Sequence, residues 1–152
     1  MGQSGEAQKD RRVLELATFY VGAALCGLDI LKIQEINKQI IMTKVPQAPE
    51  YVMGILNLRG QIVTVIDLGV KLGLAPTQPD DKTRNIIVNS KGESIGLLVE
   101  RISDVVPAER EKLEPPPANI GGVQGKFFKG VFKTPHHLIA ILDVEEILKE
   151  EH

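Results

Sequence analysis

Past residue 13 the chain divides into short apolar runs, each closed by Gly, Pro or charged residues. Residues 14–21, 39–45, 54–58, 61–66, 85–88, 94–99, 127–133 and 138–142 have the length and β-branched content of strands. Many short strands separated by turn signals predict a mainly β fold of the sandwich or barrel kind. Short helices are expected over residues 30–36, 49–53 and 68–72. A further helix is expected to start at Asp143, whose carboxylate can cap it while Glu146 reaches back, and to run over 143–150. Pro115, Pro116 and Pro117 mark a loop that leads into Gly121 and Gly122.

The pattern repeats. Residues 27–36 align with residues 96–105, with three of the ten pairs identical and four conservative. Residues 51–56 then align with 127–132, and residues 62–68 with 138–144. The first block has an offset of 69 residues and the later two an offset of 76, so a seven-residue insertion falls near the Pro117 loop. Gly54 matches Gly130, and Asp67 matches Asp143. Blocks in one order, sharing Gly and Asp positions, indicate two copies of one β module, each closed by an Asp-capped helix.

The copies differ between their last two strands. The first has Asn57-Leu58-Arg59-Gly60-Gln61, the second Lys133-Thr134-Pro135-His136-His137. Arg59-Gly60 fits a two-residue hairpin turn, with Gly supplying positive φ. That would present the guanidinium on a rigid tip, where it is either a solvated turn residue or a partner anchor.

Composition narrows the function. The net charge is −2, with no excess of basic residues to neutralise phosphates, which argues against a nucleic-acid binder. Aromatics make up 4% and Trp is absent, so the core must be filled by Val, Ile and Leu, and stacking platforms for single strands are lacking. Cys26 is the single cysteine, in an apolar stretch, and reads as a buried structural thiol in a reducing compartment. Residues 1–12 are polar and read as a tail with no secretory core. No apolar run approaches the ~20 residues needed to span a bilayer, so a cytoplasmic protein without membrane insertion is expected.

Chemistry is thinly represented. His136 and His137 are adjacent and would point to opposite faces of a strand, which disfavours a shared metal ion. Glu145-Glu146 and Glu150-Glu151 read as a solvated helix face. Gly121-Gly122-Val123-Gln124-Gly125 lacks a following Lys-Ser or Lys-Thr and reads as a loop. No catalytic constellation, cofactor or metal is indicated, so an enzyme is not expected.

The blocks just described also carry a family resemblance. Gly27-Leu28-Asp29-Ile30-Leu31-Lys32-Ile33-Gln34-Glu35-Ile36, then Asn57-Leu58-Arg59-Gly60-Gln61-Ile62-Val63, then Val65-Ile66-Asp67-Leu68 resemble a CheW-type chemotaxis coupling protein over about residues 15–148. The resemblance implies two five-stranded, SH3-like β-barrels packed on a shared core. On the sequence these would be subdomains at about 18–82 and 83–142 of a single domain 13–152, with the N-terminal strand a candidate member of the second. It implies a non-catalytic adaptor that couples chemoreceptors to the histidine kinase CheA at membrane-attached arrays. Its partners would be the helical cytoplasmic tip of the receptor and the regulatory domain of the kinase. Matching the motifs assigns Ile33, Glu35, Arg59, Ile62, Gly96, Ile102 and Val105 to receptor binding. Asn119 and Ile120 stand where the kinase contact would lie, and there the chain departs from the acidic-aromatic pair that is common in the family. The alternative reading is a small barrel that binds nucleic acid or a small ligand.

Overall fold

Twelve strands and two short helices follow one another in the computed structural model, which describes residues 12–149. The expected tail lies almost wholly outside the described residues. The chain runs β1 (Val13–Val21), β2 (Ala24–Asp29), a 3-10 turn (Ile30–Lys32), β3 (Ile33–Asn37), β4 (Val52–Leu58) and β5 (Gln61–Asp67), and then α1 (Leu68–Lys71). It continues through β6 (Arg84–Ser90), β7 (Glu93–Val99) and β8 (Arg101–Glu109) to the small hairpin β9 (Asn119–Ile120) and β10 (Val123–Gln124). It closes with β11 (Phe128–Lys133), β12 (Leu138–Leu142) and α2 (Val144–Leu148).

The larger strands form two five-stranded sheets, ordered β3-β6-β7-β5-β4 and β11-β12-β2-β1-β8. The mainly β, two-sheet architecture agrees with the expectation, and the repeat is visible in its register. Val65 stands opposite Gly96 in the parallel pair β5·β7, and Ile141 opposite Gly27 in the parallel pair β12·β2. The same offsets relate the bulge between Val52 and Gly54 to the bulge between Phe128 and Gly130.

The sheets themselves are not the contiguous segments 18–82 and 83–142. A break near residue 82 separates the two sequence copies, whereas each sheet mixes them. The β6–β7 hairpin of the second copy completes the first sheet, and the β1–β2 hairpin of the first copy completes the second. The reciprocal exchange leaves the copies interlocked. A shared cluster that includes Phe19, Leu28, Ile66, Val88, Leu97 and Leu142 lies between the sheets. Leu16, Ile139 and Ile141 form a separate cluster in the second sheet, and Leu56, Val63, Val65 and Leu98 one in the first. Full burial of one such Leu or Ile side chain contributes roughly 1.5–3 kcal/mol.

Four local expectations are corrected. Residues 30–36 form a single 3-10 turn, capped by Asp29 accepting from Leu31 N at 3.0 Å, and then strand β3. The three-residue spacing of Ile30, Ile33 and Ile36 mimics a helical stripe, but β-branched side chains suit the strand and β6 supplies its ladder. Residues 49–53 make one turn, closed by Val52 N to Pro49 O at 3.0 Å, before β4 begins. Residues 39–45 are not a strand, because the segment crosses β4 at one bridge, Thr43 to Ile55. Gly54 admits that crossing: a Cβ there would stand 2.6 Å from the Thr43 carbonyl oxygen. At the C-terminal helix Asp143 Oδ1 accepts from Glu146 N at 3.1 Å as expected, but the Glu146 carboxylate pairs with Lys149 at 3.0 Å instead of reaching back.

Candidate functional site

The β4–β5 hairpin has the tight turn its sequence predicts, with one difference. Arg59 as well as Gly60 has positive φ, at 53° and 86°. That pair of signs fits the twist of the flanking strands, and a non-glycine residue there costs roughly 1–2 kcal/mol. Asn57 Oδ1 offsets part of this by accepting from Gly60 N at 2.8 Å. The base of Arg59 is therefore stiff. Its guanidinium donates to Glu35 Oε1 on β3, and Glu35 Oε2 accepts from Asn37 Nδ2 at 3.1 Å. The Asn37 amide first, and then Arg59, hold the Glu35 carboxyl below its usual range, so it stays ionised.

A second chain of hydrogen bonds braces the same end of the sheet. Gln61 Nε2 donates to Ser94 Oγ at 2.9 Å, and Ser94 Oγ to Gln34 Oε1 at 3.3 Å. Next to Gln61, Ile62 leaves 55% of its surface exposed. Glu35, Arg59 and Ile62 thus belong to one braced sheet end that combines an ion pair with an exposed aliphatic side chain. In water such a pair contributes little to stability, since the Arg59 side chain is 75% exposed. It does hold two charges in a fixed arrangement at the surface.

The remaining candidates are spread more widely. Ile33 and Ile102 occupy equivalent positions, opposite Val88 and Phe19, and both are half-buried against the shared core. They line separate depressions, Ile33 with Leu31 and Val144, Ile102 with Lys82 and Arg84. Gly96 is buried, and a Cβ there would meet Val65 Cγ2 at 3.1 Å and Ile87 Cδ1 at 3.3 Å. It can influence a surface only through the packing beneath. Val105 is exposed on β8, and its repeat equivalent Ile36 is exposed on β3. Ile36 escaped the motif match, although the alignment of residues 27–36 with 96–105 already paired it with Val105. Asn119 and Ile120 form β9; Asn119 is exposed and its Oδ1 accepts from Gly122 N at 3.0 Å, while Ile120 packs on the shared core.

Burial pushes the Cys26 thiol up to about 12, so the thiol stays protonated at neutral pH as a structural residue. Among the described residues no group of His, Cys, Asp and Glu could hold a metal ion, and no helix is long and apolar enough to cross a membrane.

Against this geometry, the model of the CheW-like domain matches residues 15–152. The chain belongs to the CheW family. It is 32% identical to the chemotaxis protein CheW of Helicobacter pylori, over 97% of this chain and 90% of that protein. Identity to the chemotaxis protein CheW of Klebsiella aerogenes is 31%, over 90% of this chain and 82% of that one. The crystal structure of the scaffolding protein TtCheW from Thermoanaerobacter tengcongensis superimposes with a TM-score of 0.83 at 33% identity, covering 90% of this chain and 93% of the other. The CheW assignment makes the chain a non-catalytic scaffold of chemotaxis.

Proposed function

We propose that this CheW protein couples chemoreceptors to the histidine kinase CheA, with the braced end of the first sheet as its receptor contact. The observation that carries this reading is the pairing of Arg59 with Glu35 beside exposed Ile62. A receptor helix supplies a complementary surface, with apolar anchors against Ile62, Ile33, Ile102 and Val105, and polar groups read by the ion pair. The kinase regulatory domain takes a different surface, for which Asn119 and Ile120 are the candidates. Gly96 contributes by allowing the sheet to pack closely beneath the contact. The protein acts in the cytoplasm and is recruited to receptor arrays at the membrane.

Arg59→Glu tests the reading. It reverses the charge at the tip and sets a second carboxylate against Glu35. Titration with a receptor cytoplasmic fragment should show affinity reduced roughly tenfold or more, while titration with the kinase regulatory domain is unchanged. Equal loss with both partners would mean general damage. Unchanged receptor affinity would leave Arg59 a solvated turn residue and remove this site from the proposal.

A further inference from the structure

A cavity of about 620 Å³ opens in the second sheet, between Leu14 on β1, Leu28 on β2, Leu113 and Ile141 on β12. Most of its wall is aliphatic, and its charged lining residues are Lys32, Lys129 and Arg110 with Asp29 and Glu114. Lys32 and Lys129 also line an adjoining cleft of about 480 Å³ that reaches Ile33. Lys32 lies in the turn that links β2 of the second sheet to β3 of the first, and Lys129 lies on β11, so two cations share the rim between the two depressions. Like charges repel, and neither lysine is in an ion pair among the described residues.

The acidic groups nearby are otherwise engaged. Asp29 accepts from Leu31 N and Asp143 from Glu146 N, Glu114 pairs with Lys133 at 3.3 Å, and Glu145, which lines the adjoining cleft, accepts from Ser90 Oγ at 3.3 Å. Asp29 and Asp143 do soften the field, but Lys32, followed by burial, still pulls the Lys129 ammonium below its ordinary range. Paired cations beside an aliphatic wall are complementary to a ligand with an anionic head and an apolar body. The volume falls in the range of small-ligand pockets, roughly 300–1,000 Å³.

We propose that this cavity binds a small amphipathic anion, its aliphatic body against Leu14, Leu28, Leu113 and Ile141 and its carboxylate or phosphate head between Lys32 and Lys129. A polymeric anion is disfavoured by the net charge of −2 and by the aliphatic wall, which offers nothing to a sugar-phosphate backbone. The head group bridges the turn between β2 and β3 to strand β11. The site uses neither Arg59 nor Ile62, and only its adjoining cleft reaches a proposed receptor anchor, Ile33.

The test is a titration of the whole chain with decanoate and with decyl phosphate below their micelle concentrations, followed by amide shifts of Leu28 and Gly130. Decanol and decyltrimethylammonium serve as matched neutral and cationic probes. Saturable shifts are expected from at least one of the two anions, and the better one identifies the head group. Decanol should bind roughly tenfold or more weakly, and the cation not at all. Lys129→Met should reduce anion affinity by a similar factor; if that variant fails to fold, Lys32→Met gives the same reading. The proposal is overturned if neither anion saturates, if decanol matches the anions, if the folded Lys→Met variant binds as tightly as the natural chain, or if an acidic peptide shifts these amides and the decyl anions do not.

Discussion

In the first copy Asp67 ends β5, is buried, and accepts from Gly69 N at 3.0 Å, Val70 N at 3.4 Å, and both Thr77 N and Thr77 Oγ1 at 2.8 Å. In the second copy Asp143 follows β12 at the matching place, is only half-buried, and accepts from Glu146 N. One inherited residue has become the knot that ties the segment after α1 to its sheet, while its twin is an ordinary helix cap. The hairpin tips diverge further. Asn57, Arg59 and Gly60 make a tight turn that projects a cation, whereas in the second copy Thr134 Oγ1 accepts from His136 N and His137 N in a wider loop. Positions that close the fold are held in both copies, whereas the exposed hairpin tips differ. Duplication makes that separation visible inside a single chain.

The largest expected effect tests the shared positions. Gly54→Ala places a Cβ 2.6 Å from the Thr43 carbonyl oxygen at a φ of +151°, and Gly130→Ala places one 2.8 Å from the Glu114 carbonyl oxygen. Backbone is the obstacle in both, so each should cost about 3 kcal/mol and lower Tm by roughly 10 °C. A neutral result at either glycine would break the equivalence of the two crossings. Next comes the aspartate pair. Asp67→Ala leaves several buried donors unmet and should cost about 3 kcal/mol, against about 1 kcal/mol for Asp143→Ala. Equal losses in thermal melts would show that the two caps still carry the same weight.

The tip should show the reverse sign of dependence. Arg59→Gly removes the strain of a left-handed non-glycine residue as well as the exposed ion pair, so Tm should stay within about 2 °C of the natural chain. Receptor affinity should nevertheless fall, and a melting change above about 5 °C would make Arg59 structural. The smallest effect is electrostatic. Because the folded pKa of Glu35 is depressed, any stability that it contributes is present above the unfolded glutamate pKa and is lost as pH falls through the lower folded value. Carbon-detected NMR should place the midpoint below the ordinary glutamate range. Arg59→Ala should raise it only in part, since the hydrogen bond from Asn37 is the larger cause. A full return to the ordinary value would assign the shift to Arg59 alone.

The strands with strong β-branched runs were legible from pattern, as were the repeat offsets and the turn at Gly60. Those that escaped had physical reasons. β2 is interrupted by Gly27 and opens with Ala24, and β8 is an edge strand with exposed charges and Pro107, so neither shows a clean apolar alternation. On β3 the inward positions are Ile33, Glu35 and Asn37 while Ile36 faces out, the opposite of what hydropathy suggests for its last three residues. Of the candidate site, Arg59 and Ile62 stand exposed where the hairpin motif put them, while Gly96 lies beneath the surface.

By itself the sequence determined the class of fold, the duplication, the paired glycines and aspartates, and the projecting arginine, because each of these is written in local spacing and turn chemistry. Only the tertiary structure decided which copy supplies which strands, that Glu35 meets Arg59 across 24 residues of chain, and that Lys32 and Lys129 line the same two depressions. The reason is that the apolar pattern states which side of a strand is buried and says nothing of its neighbour. Either copy could have closed on its own hairpins with the same pattern. The exchange of β1–β2 for β6–β7 is selected by the shared core that Phe19, Leu28, Val88 and Leu97 build together, and that choice exists only once both halves are present.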